Sequence, residues 1–183
     1  MDLVGTQRGV PVRLLAGEGH HQVVVERALE ARCSVWIATA NLKEMLIRGP
    51  GGSYRSVLEH FDRMAGRGVD LRILHGALPS RAFRASFDRF ERLVQGGLEL
   101  RLCPRVHLKA VVVDGELLYL GSANWTGAGL GAKSSARRNF ELGLVTSDPL
   151  LLDQVQAIYD QIWRGQECAG CGRRDLCEAP LDL

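Results

Sequence analysis

The stretch RVHLKAVVVDGELLYLGSAN, residues 105–124, carries the most informative pattern of the chain. Two apolar runs flank an Asp-Gly pair, which is typical of the tight turn of a β-hairpin. Polar residues stand at the open ends: His107 and Lys109 before the first run, Ser122 and Asn124 after the second. Alternate residues of a strand share a face, so His107 and Lys109 should lie side by side. Because the second strand returns by about the same length, Ser122 and Asn124 should arrive next to them.

The residue types at this open end suit a phosphate group. Lys109 supplies positive charge, and Ser122 and Asn124 can donate hydrogen bonds to phosphate oxygens. A histidine such as His107 can attack phosphorus if its other ring nitrogen is held by an acceptor. Glu141 begins the next predicted strand at the same edge and is the candidate for that acceptor. The hairpin is therefore predicted to carry a catalytic site.

Strands and amphipathic helices alternate along the rest of the chain. The predicted strands span 10–16, 34–41, 69–76, 98–103, 106–113, 117–121 and 140–147. The predicted helices span 18–32, 54–66, 79–95 and 148–163. This order predicts an α/β sandwich with a mixed β-sheet flanked by helices. We expect one catalytic domain over 1–164, and a cysteine-rich tail over 165–183 that binds metal and packs on the domain.

Composition narrows the class of protein. A chain of 183 residues with 46% hydrophobic residues can form one full core. The net charge of +2 is too small to indicate a polyanionic partner by itself. No apolar run approaches the roughly 18 residues of a membrane span, and the amino terminus does not look like a secretion signal. We expect a cytoplasmic protein without stable membrane association.

The hairpin pattern resembles the motif of the phospholipase D superfamily. The resemblance rests on the spacing His107-x-Lys109-x4-Asp114-x6-Gly121-Ser122-x-Asn124. The later Asn-Phe-Glu ending in Glu141 is similar to the family's downstream carboxylate, and the likeness covers about residues 12–163.

That resemblance implies a phospholipase D-like fold and a two-step reaction. His107 would form a phosphohistidine, and a second histidine would protonate the leaving oxygen and then activate water. It implies no cofactor for catalysis, because lysines would neutralise the phosphate in place of a divalent metal. Asp114 belongs to the motif and enters the candidate catalytic set, although in the family it is usually structural and the Asp-Gly turn already explains it.

The chain has one such motif, whereas enzymes of the family need two that face each other. The remaining histidines lack the Lys-x4-Asp context; they are His20, His21, His60 and His75. The resemblance therefore implies a homodimer whose interface builds one shared site. A degenerate or heteromeric assembly is the alternative.

The loop over 125–139 joins two candidate site residues and should lie at the rim of the site. Its cations Lys133, Arg137 and Arg138 are candidates for gripping the phosphates of a substrate. Asn41, just after the second predicted strand, is a further candidate at this sheet edge. The plainer interpretation is a solvated loop in the first case and an ordinary loop residue in the second.

Three functions are compatible with these residues. A nuclease acting on DNA or RNA is favoured by the basic rim and the single motif. A phospholipase or phosphatidyltransferase is weakened by the lack of a second motif, a signal peptide or an amphipathic membrane helix. A non-catalytic module that holds a phosphate backbone is disfavoured because the catalytic residue types are intact.

Three of the five cysteines crowd the tail, as Cys168-x2-Cys171-x5-Cys177. Clustered cysteines in a chain without a secretion signal favour metal over disulfides. A closed zinc site needs four ligands, and the topology favours Cys103 over Cys33, which begins its strand at the opposite edge. Structural zinc is the leading interpretation. An iron–sulfur cluster is the alternative, since the spacing resembles a triple found in some nucleases, and free or disulfide-linked thiols are the third possibility.

Overall fold

The computed structural model describes residues 3–49 and 52–181. The strands are β1 Arg13–Ala16, β2 Ser34–Thr39, β3 Leu46–Arg48, β4 Tyr54–Ser56, β5 Asp70–His75, β6 Glu99–Leu102, β7 Ala110–Val113, β8 Leu117–Gly121 and β9 Leu142–Thr146. The α-helices are α1 Glu26–Leu29, α2 Val57–Ala65, α3 Arg81–Phe87 and α4 Pro149–Trp163. Two wider π-helical turns, His21–Val25 and Leu93–Gly97, precede α1 and β6.

Seven strands form one sheet in the order β1-β9-β8-β7-β2-β5-β6. β2, β5 and β6 run parallel to each other, and the pairs among β1, β9, β8, β7 and β2 are antiparallel. Long connections carrying helices link the parallel strands, while a short turn links β7 to β8, as expected for these two kinds of pairing. The predicted α/β sandwich with a mixed sheet is confirmed.

Apolar residues alternate between the two faces of the sheet. One face packs against α1, α2 and α3 in the larger core, where Phe61 and Trp125 stack with ring centroids 6.0 Å apart. The other face packs against α4, where Trp36 of β2 stacks on Tyr159 at 5.5 Å. The strand ends that project beyond these two layers carry the polar residues of the hairpin. Among the described residues, no helix has the length and apolar character needed to cross a membrane.

The predicted helix over 54–66 is wrong in its first turn. Residues Tyr54–Ser56 form β4, which pairs with β3 in a separate two-stranded sheet. The helix starts after Ser56, whose hydroxyl accepts a hydrogen bond from Leu58 N at 3.1 Å and caps the new turn. Neither of these strands was predicted, since three residues are too few to show alternation.

The predicted helix over 79–95 is divided in two. Ser80 caps α3 as expected, accepting a hydrogen bond from Phe83 N at 3.2 Å. The helix ends at Phe87, and a separate π-helical turn follows over Leu93–Gly97. Gly96 there has a φ of +101°, which ends the helical path before β6.

Candidate active site

The ends of four strands meet at one edge of the sheet. The register pairs Ala38 with Ala110, Ala110 with Leu120, and Gly121 with Gly143. The carboxyl ends of β2 and β8 therefore lie beside the amino ends of β7 and β9. Every predicted catalytic residue except Asp114 belongs to this edge, because each one directly flanks or closely follows one of these strand ends. We call it the catalytic edge.

His107 and Lys109 are in contact just before β7 begins. The predicted strand over 106–113 starts only at Ala110, so both residues lie in the segment that leads into it. Lys109 Nζ is 3.0 Å from Nδ1 and 3.1 Å from Nε2 of His107, and it donates to the His107 carbonyl at 2.8 Å. A lysine ammonium has only donors, so a ring nitrogen bonded to it must be unprotonated. An exposed imidazole next to a cation is suited to attack an anionic phosphate once Lys109 turns from the ring to the phosphate oxygens.

Ser122 and Glu141 join the ends of β8 and β9. The Ser122 hydroxyl donates to Glu141 Oε2 and also accepts from Leu142 N at 3.1 Å. Asn139 Nδ2 donates to the other carboxylate oxygen at 3.1 Å. Sequence reasoning expected this carboxylate to hold the His107 ring. The structure places it on Ser122 and Asn139, and among the described residues the ring of His107 hydrogen bonds only to Lys109.

Glu141 also acts on Lys109 through its charge. Partial burial lowers the pKa of the Lys109 ammonium, and the nearby Glu141 carboxylate raises it part of the way back. The net direction is downward from the ordinary value. Glu141 therefore helps to keep Lys109 in its charged form.

Asn124 is held by the turn after β2. Its Oδ1 accepts from Asn41 N at 3.0 Å and lies 3.2 Å from the Thr39 hydroxyl. The same hydroxyl accepts from Trp125 N at 2.9 Å and donates to Asn41 O at 2.8 Å. A backbone N–H donates only to an acceptor, so the side-chain atom of Asn124 that faces Asn41 N must be the amide oxygen. The NH₂ group of Asn124 is therefore left to donate to a ligand.

Thr39 was missed by the sequence analysis. It is 1% exposed and fixes both Asn124 and the turn that contains Asn41. The available signal was a polar residue closing the apolar strand β2, but such residues are common at strand ends. The backbone N–H of Asn41 lies at the catalytic edge, where it donates to Asn124. The side chain of Asn41 is exposed.

Tyr119 lies beneath the catalytic edge and was also missed. It is fully buried, and its hydroxyl accepts a hydrogen bond from Ala123 N at 3.4 Å. Burial raises the pKa of Tyr119 to about 12, and the charge of Glu141 acts in the same direction. Gly121 and Gly143 pass over this ring: a Cβ on Gly121 would lie 2.6 Å from Leu142 O, and one on Gly143 would lie 2.8 Å from the Tyr119 hydroxyl. The glycine before Ser122 is thus required by close packing.

Asp114 does not belong to the site, and the structure corrects its place in the catalytic set. It stands at the opposite end of β7, at a φ of +54°. Its carboxylate accepts backbone N–H groups of Arg32, Cys33 and Ser34 at 2.7–3.1 Å. Burial by itself would raise the pKa of Asp114, but these three N–H groups outweigh it and lower the pKa below its ordinary value. Asp114 therefore ties the hairpin turn to the start of β2.

The predicted substrate-binding cations divide into two groups. Lys133 and Arg137 are exposed on the loop that follows Asn124. Arg138 instead pairs with Glu18 at 2.9 Å and donates to the carbonyl of Lys133 at 2.6 Å. That pairing holds the loop against the segment after β1, so Arg138 has a structural contact in place of the predicted phosphate contact.

The tail returns to the catalytic side of the domain. Cys103, Cys168, Cys171 and Cys177 line one cavity of about 180 Å³, which also reaches His107. Burial raises the pKa of the Cys103 thiol, and the three tail thiols add to that shift. Within residues 3–49 and 52–181, no three His, Cys, Asp or Glu side chains already stand in an arrangement that would hold a metal ion. Cys33 is exposed at the opposite edge, where Asp114 binds its backbone.

Comparison with known proteins agrees with this geometry. Residues 24–163 match the family described as "Cardiolipin synthase, PLD-like domain". No curated protein matches the chain significantly in sequence.

Three solved structures share the fold at low sequence identity. NucT from Helicobacter pylori superposes with a TM-score of 0.59 and 15% identity, over 85% of this chain and 97% of its own. Nuc, a phospholipase D family member from Salmonella typhimurium, gives 0.55 and 20%, over 84% and 95%. The archaeal chromatin protein TrmBL2 gives 0.52 and 16%, over 84% of this chain and 52% of its own. With the family match spanning most of its length, the chain belongs to the phospholipase D superfamily of phosphodiesterases.

Proposed function

We propose that this protein is a nuclease that cleaves phosphodiester bonds through a phosphohistidine on His107, in a site shared by two copies of the chain. The observation that carries the proposal is the contact between His107 and Lys109 at an open edge, next to the Ser122–Glu141 pair. The nucleophile and its neutralising cation already touch, and nothing covers the exposed imidazole within the described residues. The reaction needs no metal ion in this proposal, because the lysines supply the positive charge.

The reaction proceeds in two balanced steps. A ring nitrogen of His107 attacks phosphorus, the N–P bond forms, and the P–O bond to the leaving group breaks. The leaving oxygen takes a proton from His107 of the partner subunit. That imidazole, now neutral, removes a proton from water, whose oxygen attacks phosphorus as the N–P bond breaks. Lys109 and the NH₂ group of Asn124 stabilise the charge on the phosphate oxygens throughout.

The need for a second copy follows from the number of motifs. One chain supplies one His107, whereas the two steps require a nucleophile and a separate acid. His75, the other histidine at the end of a neighbouring strand, is 4% exposed, and its Nδ1 lies 3.0 Å from the carbonyl of Ala77. It is therefore held in the core and does not offer an exposed acid.

An apolar surface beside the catalytic edge supports a homodimer. Helix α4 covers one face of the sheet over β5, β2, β7 and the first part of β8, where Leu152 packs on Leu118. The same face is exposed over the end of β8, β9 and β1. Four leucines stand on that open face with 36–66% exposure: Leu14, Leu120, Leu142 and Leu144. Leu144 pairs directly with Leu14 and Leu120, so the patch is continuous. A second copy seated on it would bury this face and lie next to Glu141, where the other half of the site is needed.

Nucleic acid is the substrate that the rim supports best. Lys133 and Arg137 are exposed on the loop after Asn124, and Arg105 is exposed just before His107. Exposed cations of this kind bind the phosphates of a polymer. The structural neighbour TrmBL2 is a chromatin protein with a described mode of DNA binding, so the shared fold is compatible with nucleic acid. A lipid phosphodiester is the second candidate, favoured by the cardiolipin synthase family description.

The test is cleavage of four substrates in EDTA: single-stranded DNA, double-stranded DNA, RNA, and vesicles of phosphatidylcholine with phosphatidylglycerol. We expect cleavage of nucleic acid and a loss of roughly 10³-fold or more in His107→Ala, the scale of losing a nucleophile. Arg67→Ala, an exposed charge in the turn between α2 and β5, is the control and should keep activity. Turnover of vesicles alone would select the lipid function, and binding without any turnover would select a binding module.

A further inference from the structure

We propose that Cys103, Cys168, Cys171 and Cys177 form a tetrathiolate site for one zinc ion, which fastens the tail beside the segment that carries His107. This inference does not depend on the proposed function, because it concerns how the tail is held. It starts from the four thiols that line a single cavity of about 180 Å³.

The tail turns its cysteines toward the domain. Cys168, Cys171 and Cys177 are half-buried, whereas Ala169, Gly170, Gly172 and Leu176 between them are exposed. An irregular segment normally packs its apolar side chains inward, yet Leu176 is 76% exposed. Thiols therefore occupy inward positions of this segment, beside Leu181 of the same cavity.

The backbone presents the first pair of thiols as a chelate. Cys171 N donates to Cys168 O at 3.2 Å, which closes a tight turn with two residues between the cysteines. Such a turn directs both thiols to one side, the arrangement found in structural zinc sites. A second turn, in which Cys177 N donates to Arg174 O at 3.0 Å, brings the third thiol to the same cavity.

Polar contacts already dock the tail next to Cys103. Arg173 donates to the carbonyl of Pro104 at 3.0 Å, and Arg105 lines the same cavity as Cys171. Pro104 and Arg105 directly follow Cys103 in sequence. The fourth thiol is therefore adjacent to the tail, while Cys33 lies at the opposite edge of the sheet and is excluded.

The charges around the cavity fit a metal–thiolate centre. Four thiolates and one Zn²⁺ carry a net charge of −2, and Arg101, Arg105 and Arg174 line the same cavity. The side chains are not yet at ligand distances. Three of the four cysteines belong to short turns outside the sheet, so binding requires those turns to bring their thiols to Cys103.

A zinc ion at this site would also affect the catalytic edge, because only a short stretch of chain separates Cys103 from His107. Cys103 precedes His107 by four residues, and His107 and Leu108 line the same cavity. A metal that holds Cys103 and the tail together would therefore limit the motion of the segment that presents the nucleophile.

The test is the metal content of the full-length protein by plasma mass spectrometry, with thiol titration. We expect about one zinc per chain, four thiols protected from an alkylating reagent, and a tetrathiolate cobalt spectrum after exchange with Co²⁺. Each Cys→Ser change at the four positions should lower zinc content at least about tenfold, the effect of losing one ligand. Cys33→Ser should keep it.

Folding is checked separately by circular dichroism. If a serine variant is unfolded, zinc release from the wild-type protein on stepwise thiol modification replaces it, and release should coincide with modification of the four protected thiols. Iron and acid-labile sulfide in place of zinc would overturn the proposal. So would disulfides among these cysteines, five freely reactive thiols, or full zinc content in folded Cys103→Ser.

Discussion

The hydroxyl of Ser122 donates a hydrogen bond to the carboxylate of Glu141, and this bond joins the end of β8 to the residue that precedes β9. At that point Gly121 of β8 and Gly143 of β9 pack against the ring of Tyr119. The bond places a negative charge next to Lys109 without placing it on His107. Glu141 thus supports the charge of Lys109, and the ring of His107 stays exposed.

Glu141→Gln tests this electrostatic role. The amide oxygen still accepts from Ser122, whereas the NH₂ group cannot accept from Asn139. The change therefore removes the charge and the bond from Asn139. We expect kcat/KM to fall roughly 10- to 100-fold, since a hydrogen bond or contact with a charged group contributes about 1.5–3 kcal/mol. Glu116→Gln, which removes a carboxylate at the opposite edge, should have little effect.

The dependence of activity on pH tests the same effect of the Glu141 charge on Lys109. Lys109 must be protonated to bind phosphate, and burial lowers its pKa while Glu141 raises it. Activity should therefore decline as pH rises through the pKa of Lys109. In Glu141→Gln the supporting charge is gone, so the alkaline decline should move to lower pH. An unchanged alkaline limb would show that Glu141 does not act through Lys109.

Asp114→Asn separates stability from catalysis. Asparagine tolerates the positive φ at this position, so the backbone is not strained. The change removes the charge and the second accepting oxygen, which faces Arg32 N, while one oxygen still accepts. We expect a loss of about 1–3 kcal/mol in the free energy of unfolding at pH 7. Because the folded pKa of Asp114 is depressed, its contribution is present above the unfolded pKa and is lost as pH falls through the folded pKa.

Two measurements check the Asp114 prediction. Urea unfolding of the wild type and Asp114→Asn between neutral and acidic pH should show a difference that shrinks on acidification. The kcat of the folded variant should match the wild type. A large fall in kcat with unchanged stability would return Asp114 to the catalytic set.

Much of the fold follows from local pattern. The Asp-Gly turn between two apolar runs predicted β7 and β8, and Ser80 predicted the start of α3. Strands β3 and β4 were not predicted because each has three residues, too few to show the alternation of apolar and polar residues that marks a strand. The helix over 79–95 was predicted as continuous because Phe90 and Val94 continue the helical spacing beyond Phe87, whereas the chain breaks over 88–90 before it becomes helical again.

Only part of the candidate site could be predicted from the sequence, for a different reason. His107, Lys109, Ser122 and Asn124 stand within one short stretch, so their common edge follows from hairpin geometry. The contacts of Arg138 with Glu18 and of Asn124 with Thr39 span 120 and 85 residues. No local pattern encodes such pairs. They depend on how the sheet brings distant strand ends together.

Lys133→Ala combined with Arg137→Ala tests the basic rim. If each side chain meets one phosphate, the slope of log binding constant against log salt should decrease by roughly 0.7–0.9 for each charge removed. Arg67→Ala is the matched control, because it removes one exposed cation at the opposite edge. Equal slopes for the double variant and the wild type would place the substrate elsewhere.

Leu144→Glu tests the exposed leucine patch as the dimer face. A carboxylate at its centre would have to be buried without a partner, so we expect a monomer in light scattering and the loss of cleavage together. Leu46→Glu, on the exposed side of β3, provides the control and should leave both unchanged. A dimeric, active Leu144→Glu protein would show that the copies meet on another face.

The shared active site is the central claim, and subunit mixing tests it most directly. Wild-type chains are mixed with His107→Ala chains, allowed to exchange, and assayed on nucleic acid at constant total protein. If one site needs His107 from both subunits, activity follows the square of the wild-type fraction, so an equal mixture keeps about one quarter of the full activity. A linear dependence, with about one half retained, would mean that each chain carries a complete site and would contradict the account.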